Sequence, residues 1–203
     1  ANHIPTILEG WHLGSQSGNA LAQIIYGDYN PSGKLPMSFP RSVGQVPLYY
    51  NNKNTGRPSP VTPGEVFWTH YIDQKNTPQY PFGFGLSYTQ FKYDTPLVSN
   101  TYSDNKQVHV SVDVTNTGKR EGIETIQLYL KDTYASVTRP LRSLKGFEQI
   151  TLQPGETKKV TFILTDNELG FYDNQGTWLV EQGTFDVFIG TNSATENKST
   201  FEI

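Results

Sequence analysis

The chain has no cysteine, so disulfides, thiolate metal sites and a cysteine nucleophile are excluded, while every compartment stays open to it. It is also poor in charge: 17% of its 203 residues are Asp, Glu, Lys or Arg, against about 25% in ordinary globular chains. The 16 basic residues are scattered and the formal net charge is −3. That leaves no basic stripe to follow a phosphate backbone, and no nucleic-acid partner is expected. Long apolar runs are lacking too. No stretch of apolar residues exceeds three, whereas a membrane helix needs ~20 such positions and the apolar part of a secretion signal about 7 to 15. Neither a membrane span nor a signal is expected within these residues.

Turn formers and aromatics are abundant: 18 Gly, 13 Pro, 12 Tyr and 11 Phe. Together they favour a mainly β chain over a helical bundle. The texture changes along the sequence. Before about residue 80 one helix is predicted, Ser17–Tyr26, where Ala20, Leu21, Ile24 and Ile25 share a face and Gly27 follows as a stop. Residues 5–9 read as a short buried strand, joined to the helix by a loop over 10–18. One strand and one helix cannot bury both faces of a sheet, so this part is expected to be the end of an α/β domain whose earlier units precede Ala1.

From about Phe91 the apolar period becomes two. Val108, Val110, Val112 and Val114 alternate with polar residues, and Ile126, Leu128, Leu130, then Val160, Phe162, Leu164, then Phe185, Val187, Ile189 repeat the pattern. Turn signals at 116–118, 154–155, 174–176 and 182–183 separate them. The rhythm predicts about seven strands in an immunoglobulin-like or fibronectin-like sandwich. Residues 132–150 break the alternation and read as a long connection between sheets. Phe171 and Trp178 are expected in the core. The expected division is residues 1–85, a partial α/β segment with linker, and residues 86–203, the sandwich.

Several motifs fail on their chemistry. Around Gly33 and Lys34 a phosphate loop is suggested, but Asp28 replaces its first glycine and Leu35 replaces the hydroxyl residue that would hold magnesium. Gly83 and Gly85 supply two of the three glycines of a dinucleotide fingerprint, with no helix after them. Ser87 lacks the second glycine of a nucleophile elbow, since residue 89 is Thr. His3, His12, His70 and His109 share no zinc spacing. No metal and no cofactor is expected. Asn197-Lys-Ser199 is a glycosylation sequon by composition.

Carboxylates remain. Glycoside hydrolysis needs two, one protonated and one ionised, but no spacing rule links Glu9, Asp28 and Asp73. Glu9 sits where the expected strand gives way to a loop, the edge at which α/β sheets place ligand groups. Trp11 and His12 follow it. A Trp beside polar groups suits stacking on a sugar ring, and it equally suits wedging into a domain interface.

Three long runs carry a resemblance. Trp11-His-Leu-Gly14-Ser-Gln-Ser-Gly18-Asn19-Ala20, then Tyr26-Gly-Asp-Tyr-Asn-Pro-Ser-Gly-Lys-Leu-Pro-Met-Ser-Phe-Pro40, then Tyr80-Pro-Phe-Gly-Phe-Gly-Leu-Ser-Tyr88 closely resemble the C-terminal part of bacterial β-glucosidases of glycoside hydrolase family 3, near the periplasmic type. The run from Arg139 through Glu148 to Glu156 resembles the fibronectin type III-like domain that ends those enzymes. The resemblance implies a fragment of a retaining exo-β-glucosidase in the periplasm or outside the cell. Both catalytic groups, an Asp nucleophile and a Glu acid/base, would lie in N-terminal domains of the same protein, which are the implied partners. The chain alone would have no catalytic residue and no activity, and Glu9, Trp11 and His12 would touch the β-glucoside only in the complete enzyme. Gln16 stands where relatives often carry Glu, and His70 where Arg is common. The resemblance also gives residues 34–39 the part of a strand closing the α/β domain, and residues 80–88 that of an aromatic clasp to the sandwich. The alternative is a stand-alone carbohydrate- or protein-binding sandwich.

Overall fold

The computed structural model describes residues 3–57, 67–99 and 102–203. Helix α1 spans Ser17–Tyr26, as its periodicity predicts, and ends where Gly27 turns left-handed (φ 81°) and donates its N–H to the Ile24 carbonyl. Residues 5–9, expected as a strand, form none. An isolated strand leaves its backbone groups unpaired, and among the described residues no neighbouring strand pairs with this one. Ile4, Ile7 and Leu8 stay exposed.

The sandwich follows. Its elements are β1 (Phe91–Tyr93), β2 (Leu97–Ser99), α2 (Tyr102–Asn105), β3 (Val108–Asn116), β4 (Gly122–Asp132), β5 (Ser143–Leu152), β6 (Thr157–Leu164), α3 (Asp166–Leu169), β7 (Phe171–Tyr172), β8 (Trp178–Leu179), β9 (Thr184–Gly190) and β10 (Lys198–Glu202). In one sheet β3 is flanked by β6 on one side and by β1 and β2 end to end on the other; the second runs β10-β9-β4-β5. Counting β1 and β2 as one interrupted edge strand gives the expected seven, besides the β7–β8 hairpin. The valines of β3 meet Ile126, Leu128, Leu130, Leu152, Phe185 and Val187 in a single core. The predicted turn at 116–118 is pinned by Asn116, which is fully buried. Its side chain donates to the carbonyls of Arg120 and Leu152 and accepts from Thr89 Oγ1 and the Gly118 N–H.

Two expectations about the sandwich need correcting. Residues 143–150 are not a crossing connection but most of β5, paired antiparallel with β4 in the same sheet. Only Ile150 and Leu152 of this edge strand reach the core, so the alternation that betrays a strand is absent. A bulge opposite Leu128 and Tyr129 breaks the register further. Of the two aromatics expected in the core, Phe171 is buried beneath the Arg139 guanidinium (4.3 Å), whereas Trp178 is 42% exposed and meets Tyr172 edge-on. The sequon at Asn197 is also committed: its amide donates to the carbonyls of Asp94 and Ile189.

Strand β4 decides how the two parts of the chain join. Its core face carries Ile126 and Leu128, yet Thr125, Gln127 and Tyr129 on the opposite face are buried as well. Thr125 accepts from Gln149 of β5, and the earlier segment lies against Gln127 and Tyr129. Tyr50 meets the Tyr129 ring edge-on (5.8 Å) and stacks on Phe82 (4.3 Å). Gln127 donates to the carbonyls of Gly83 and Thr191 and accepts from the Tyr129 hydroxyl.

Candidate functional site

The loop after residue 8 holds the three residues singled out as substrate-facing. Glu9 accepts the Trp11 N–H on its carboxylate (2.9 Å). Trp11 is left-handed, φ 46°, a conformation that costs an L-residue with a Cβ roughly 1–2 kcal/mol. The Glu9 contact offsets part of that cost. Glu9, Trp11 and His12 are all exposed, with Trp11 at 54%. A shallow recess lined by Leu13, Gly14, Ser15, Gln16, Ser17 and Ala20 lies alongside. Asp28 and Asp73 are exposed as well, and among the described residues no hydrogen bond or ion pair links Glu9 to either. No group of three or more His, Cys, Asp or Glu able to hold a metal occurs among the described residues.

The indole does not stand alone. Its ring meets Phe39 edge-on at 5.9 Å, Phe39 meets Tyr80 at 6.4 Å, and Tyr80 stacks on Phe84 at 5.1 Å. The backbone beneath this ladder is paired by hand-offs between 35–39 and 79–84. Leu35 donates to Phe84, Gly83 to Leu35 and Phe39 to Tyr80, each at 2.8 Å. Residues 34–39, expected as a strand, thus form none: the chain bends at Pro36 and Met37 and keeps a single ladder bridge to the clasp, at Phe39 and Tyr80. Pro36 removes one donor from the run. The clasp is only partly buried. Phe82 and Phe84 are half-buried, Leu86 is 74% and Tyr88 45% exposed.

Polar contacts fasten the clasp to the sandwich. The Lys34 ammonium bonds the Glu124 carboxylate (3.1 Å) and the Gly85 carbonyl, with the two side chains 12% and 2% exposed. Tyr93 donates its hydroxyl to the same carboxylate at 2.8 Å. Asn30 donates to the Glu121 carbonyl and accepts from Ser87 Oγ and the Tyr88 N–H. Sequence reasoning missed Lys34, Glu124 and Gln127, because a charged or amide side chain carries no period and its partner lies some 44 to 90 residues away.

Two of these phenols set an alkaline limit. Burial first, then the charge and hydrogen bond of Glu124, push the Tyr93 pKa far above its ordinary 10.0. Burial, then the neighbouring Tyr50, raises that of Tyr129. Both therefore stabilise the fold fully below pH ~10, where the unfolded phenols are protonated, and that contribution is lost as pH climbs above it. In a spectrophotometric titration these two should ionise only in step with unfolding. Reversible ionisation of all tyrosines with the fold intact would contradict this.

Comparison with known proteins adds the following. Residues 1–88 match the model of the glycosyl hydrolase family 3 C-terminal domain, and residues 124–193 match that of the fibronectin type III-like domain. A periplasmic β-glucosidase of Salmonella typhimurium is 52% identical over 97% of this chain, and a β-xylosidase of Formosa agariphila is 48% identical over all of it. The crystal structure of a β-glucosidase from Listeria innocua in complex with isofagomine superposes with a TM-score of 0.85, at 43% identity over 94% of this chain. In each case the chain spans about a quarter of the relative's length (26%, 27% and 26%).

Proposed function

We propose, for a chain that belongs to glycoside hydrolase family 3 and corresponds to its C-terminal part, that it braces a retaining exo-β-glucosidase and does no chemistry alone. The observation that carries this is an uncovered surface. Helix α1 has an apolar face yet buries no residue, and Ile4, Ile7, Leu8, Trp11, Ile25 and Tyr26 are all exposed although the sandwich is already packed. Exposed large apolar side chains concentrated in one stretch of chain point to a surface that another part of the protein covers. Its occupant in this reading is the rest of the α/β domain, together with the N-terminal catalytic domains of the same protein.

The two carboxylates of glycoside hydrolysis then lie in those domains, and residues 1–85 and 86–203 are the end of the α/β domain and the terminal sandwich. Glu9, Trp11 and His12 contribute to the wall facing a terminal β-linked glucosyl unit. Support for glucosides comes from the β-glucosidases among the relatives, and the periplasmic enzyme supports a location in the periplasm or outside the cell. No helix among the described residues is long and apolar enough to cross a membrane. The purified chain should not hydrolyse an aryl β-glucoside above buffer background; robust, heat-sensitive turnover would overturn the reading. In the complete enzyme Trp11→Ala should raise KM roughly fivefold to tenfold, about 1–1.4 kcal/mol of binding.

A second reading, a stand-alone carbohydrate-binding module, draws on the exposed, edge-to-face pair Tyr172 and Trp178. Glycan-array binding by the chain that vanishes in Trp178→Ala would favour it.

A further inference from the structure

We infer that the terminal sandwich positions Trp11: Gln127 of β4 holds the clasp at Gly83, and the clasp aligns the indole through Phe84, Tyr80 and Phe39. Each link is a contact. The Gln127 amide donates to the Gly83 carbonyl, and the Gly83 N–H donates to Leu35. A Cβ at Gly83 would lie 2.0 Å from Gln127 Oε1, so the clasp backbone rests directly on that buried side chain. Phe84 stacks on Tyr80 with planes 24° apart, and Tyr80 and Phe39 continue edge-to-face to the indole. Edge-to-face and offset-stacked rings hold one another in orientation, because the positive edge of one seeks the negative face of the next.

The loop end of the path also has its own lock. The Glu9 carboxylate accepts the N–H of the left-handed Trp11, so the residue is held at backbone and ring while half its surface faces outward. A side chain wedged in a core needs no such grip; one presented to a ligand does. Tyr80, Phe39 and Gln127 are thus positioning residues, acting through Trp11. The functional weight of the inference rests on Trp11 being substrate-facing.

The test uses fluorine NMR of the 203-residue chain carrying fluorotryptophan, with Trp11, Trp68 and Trp178 assigned by single Phe replacements. Tyr80→Leu should move only the Trp11 signal, to the position of free fluorotryptophan, while Trp178 in the sandwich stays. Tyr80→Phe, which keeps the stack, should restore it, and Phe39→Leu should reproduce the loss should Tyr80→Leu fail to fold. Gln127→Ala, which removes the sandwich's hold on Gly83, should move the Trp11 signal as Tyr80→Leu does, and a Trp11 signal unmoved in Gln127→Ala, Tyr80→Leu or Phe39→Leu overturns the inference. In the complete enzyme Tyr80→Leu should raise KM with kcat kept, and Tyr80→Phe should return it. A moved Trp11 signal with unchanged KM upholds the positioning and refutes the substrate-facing reading, so the two fail separately.

Discussion

Lys34→Met is expected to destabilise the chain by about 3–5 kcal/mol, the usual cost of removing one partner from a buried ion pair. The Glu124 carboxylate, 2% exposed, would keep the Tyr93 hydroxyl but lose its counter-charge, and the Gly85 carbonyl would lose its donor. Against a total of ~5–15 kcal/mol for a domain, that is enough to release the segment before the core gives way. The double replacement Lys34→Met with Glu124→Gln should recover most of the loss, since a neutral amide still accepts from Tyr93 and no unpaired charge stays buried. Urea denaturation of the single and double variants measures this. Additive losses would mean that the pair is not coupled.

Gly83→Ala should cost nearly as much, roughly 3 kcal/mol. Gly83 has φ 80°, where a Cβ is strained by ~1–2 kcal/mol. That Cβ also lands on Gln127, and the amide that would have to move is bonded to Gly83, Thr191 and Tyr129. Each buried hydrogen bond broken without a replacement costs about 1–3 kcal/mol. Gly155, with a similar φ of 78° but open space where a Cβ would go, is the control. Gly155→Ala should lose only the backbone strain. Equal losses at the two positions would show that the clasp does not rest on β4.

The strongest parts of the fold were readable wherever apolar residues recur with a period. Helix α1 and its Gly27 stop followed from the spacing of four apolar residues, and β3 from its alternating valines facing one core. Strand β5 was not readable, because an edge strand with two core residues looks like a loop. The segment at 5–9 was misread for the converse reason: an apolar run signals burial somewhere, but pairing needs a partner strand. At the candidate site, Glu9, Trp11 and His12 were picked out from residue type and loop position alone. Their geometry was not, since the Glu9 contact is made by backbone conformation and the Phe39 ladder by rings far apart in sequence. Strand β4 shows the same limit. Its second buried face is polar, and only the packing of Tyr50 on Tyr129 and the bond from Gln127 to Gly83 reveal that the strand is covered on both sides.

Amide hydrogen exchange of the wild-type chain under native conditions tests most directly whether the two parts form one packed unit. The Leu35, Phe39 and Gly83 amides, each bonded at 2.8 Å across the clasp, should be protected, and Lys34→Met should expose them while the β3 and β6 amides remain slow. Exchange of these three at unprotected rates in the wild type, with the sandwich amides still protected, would contradict the account.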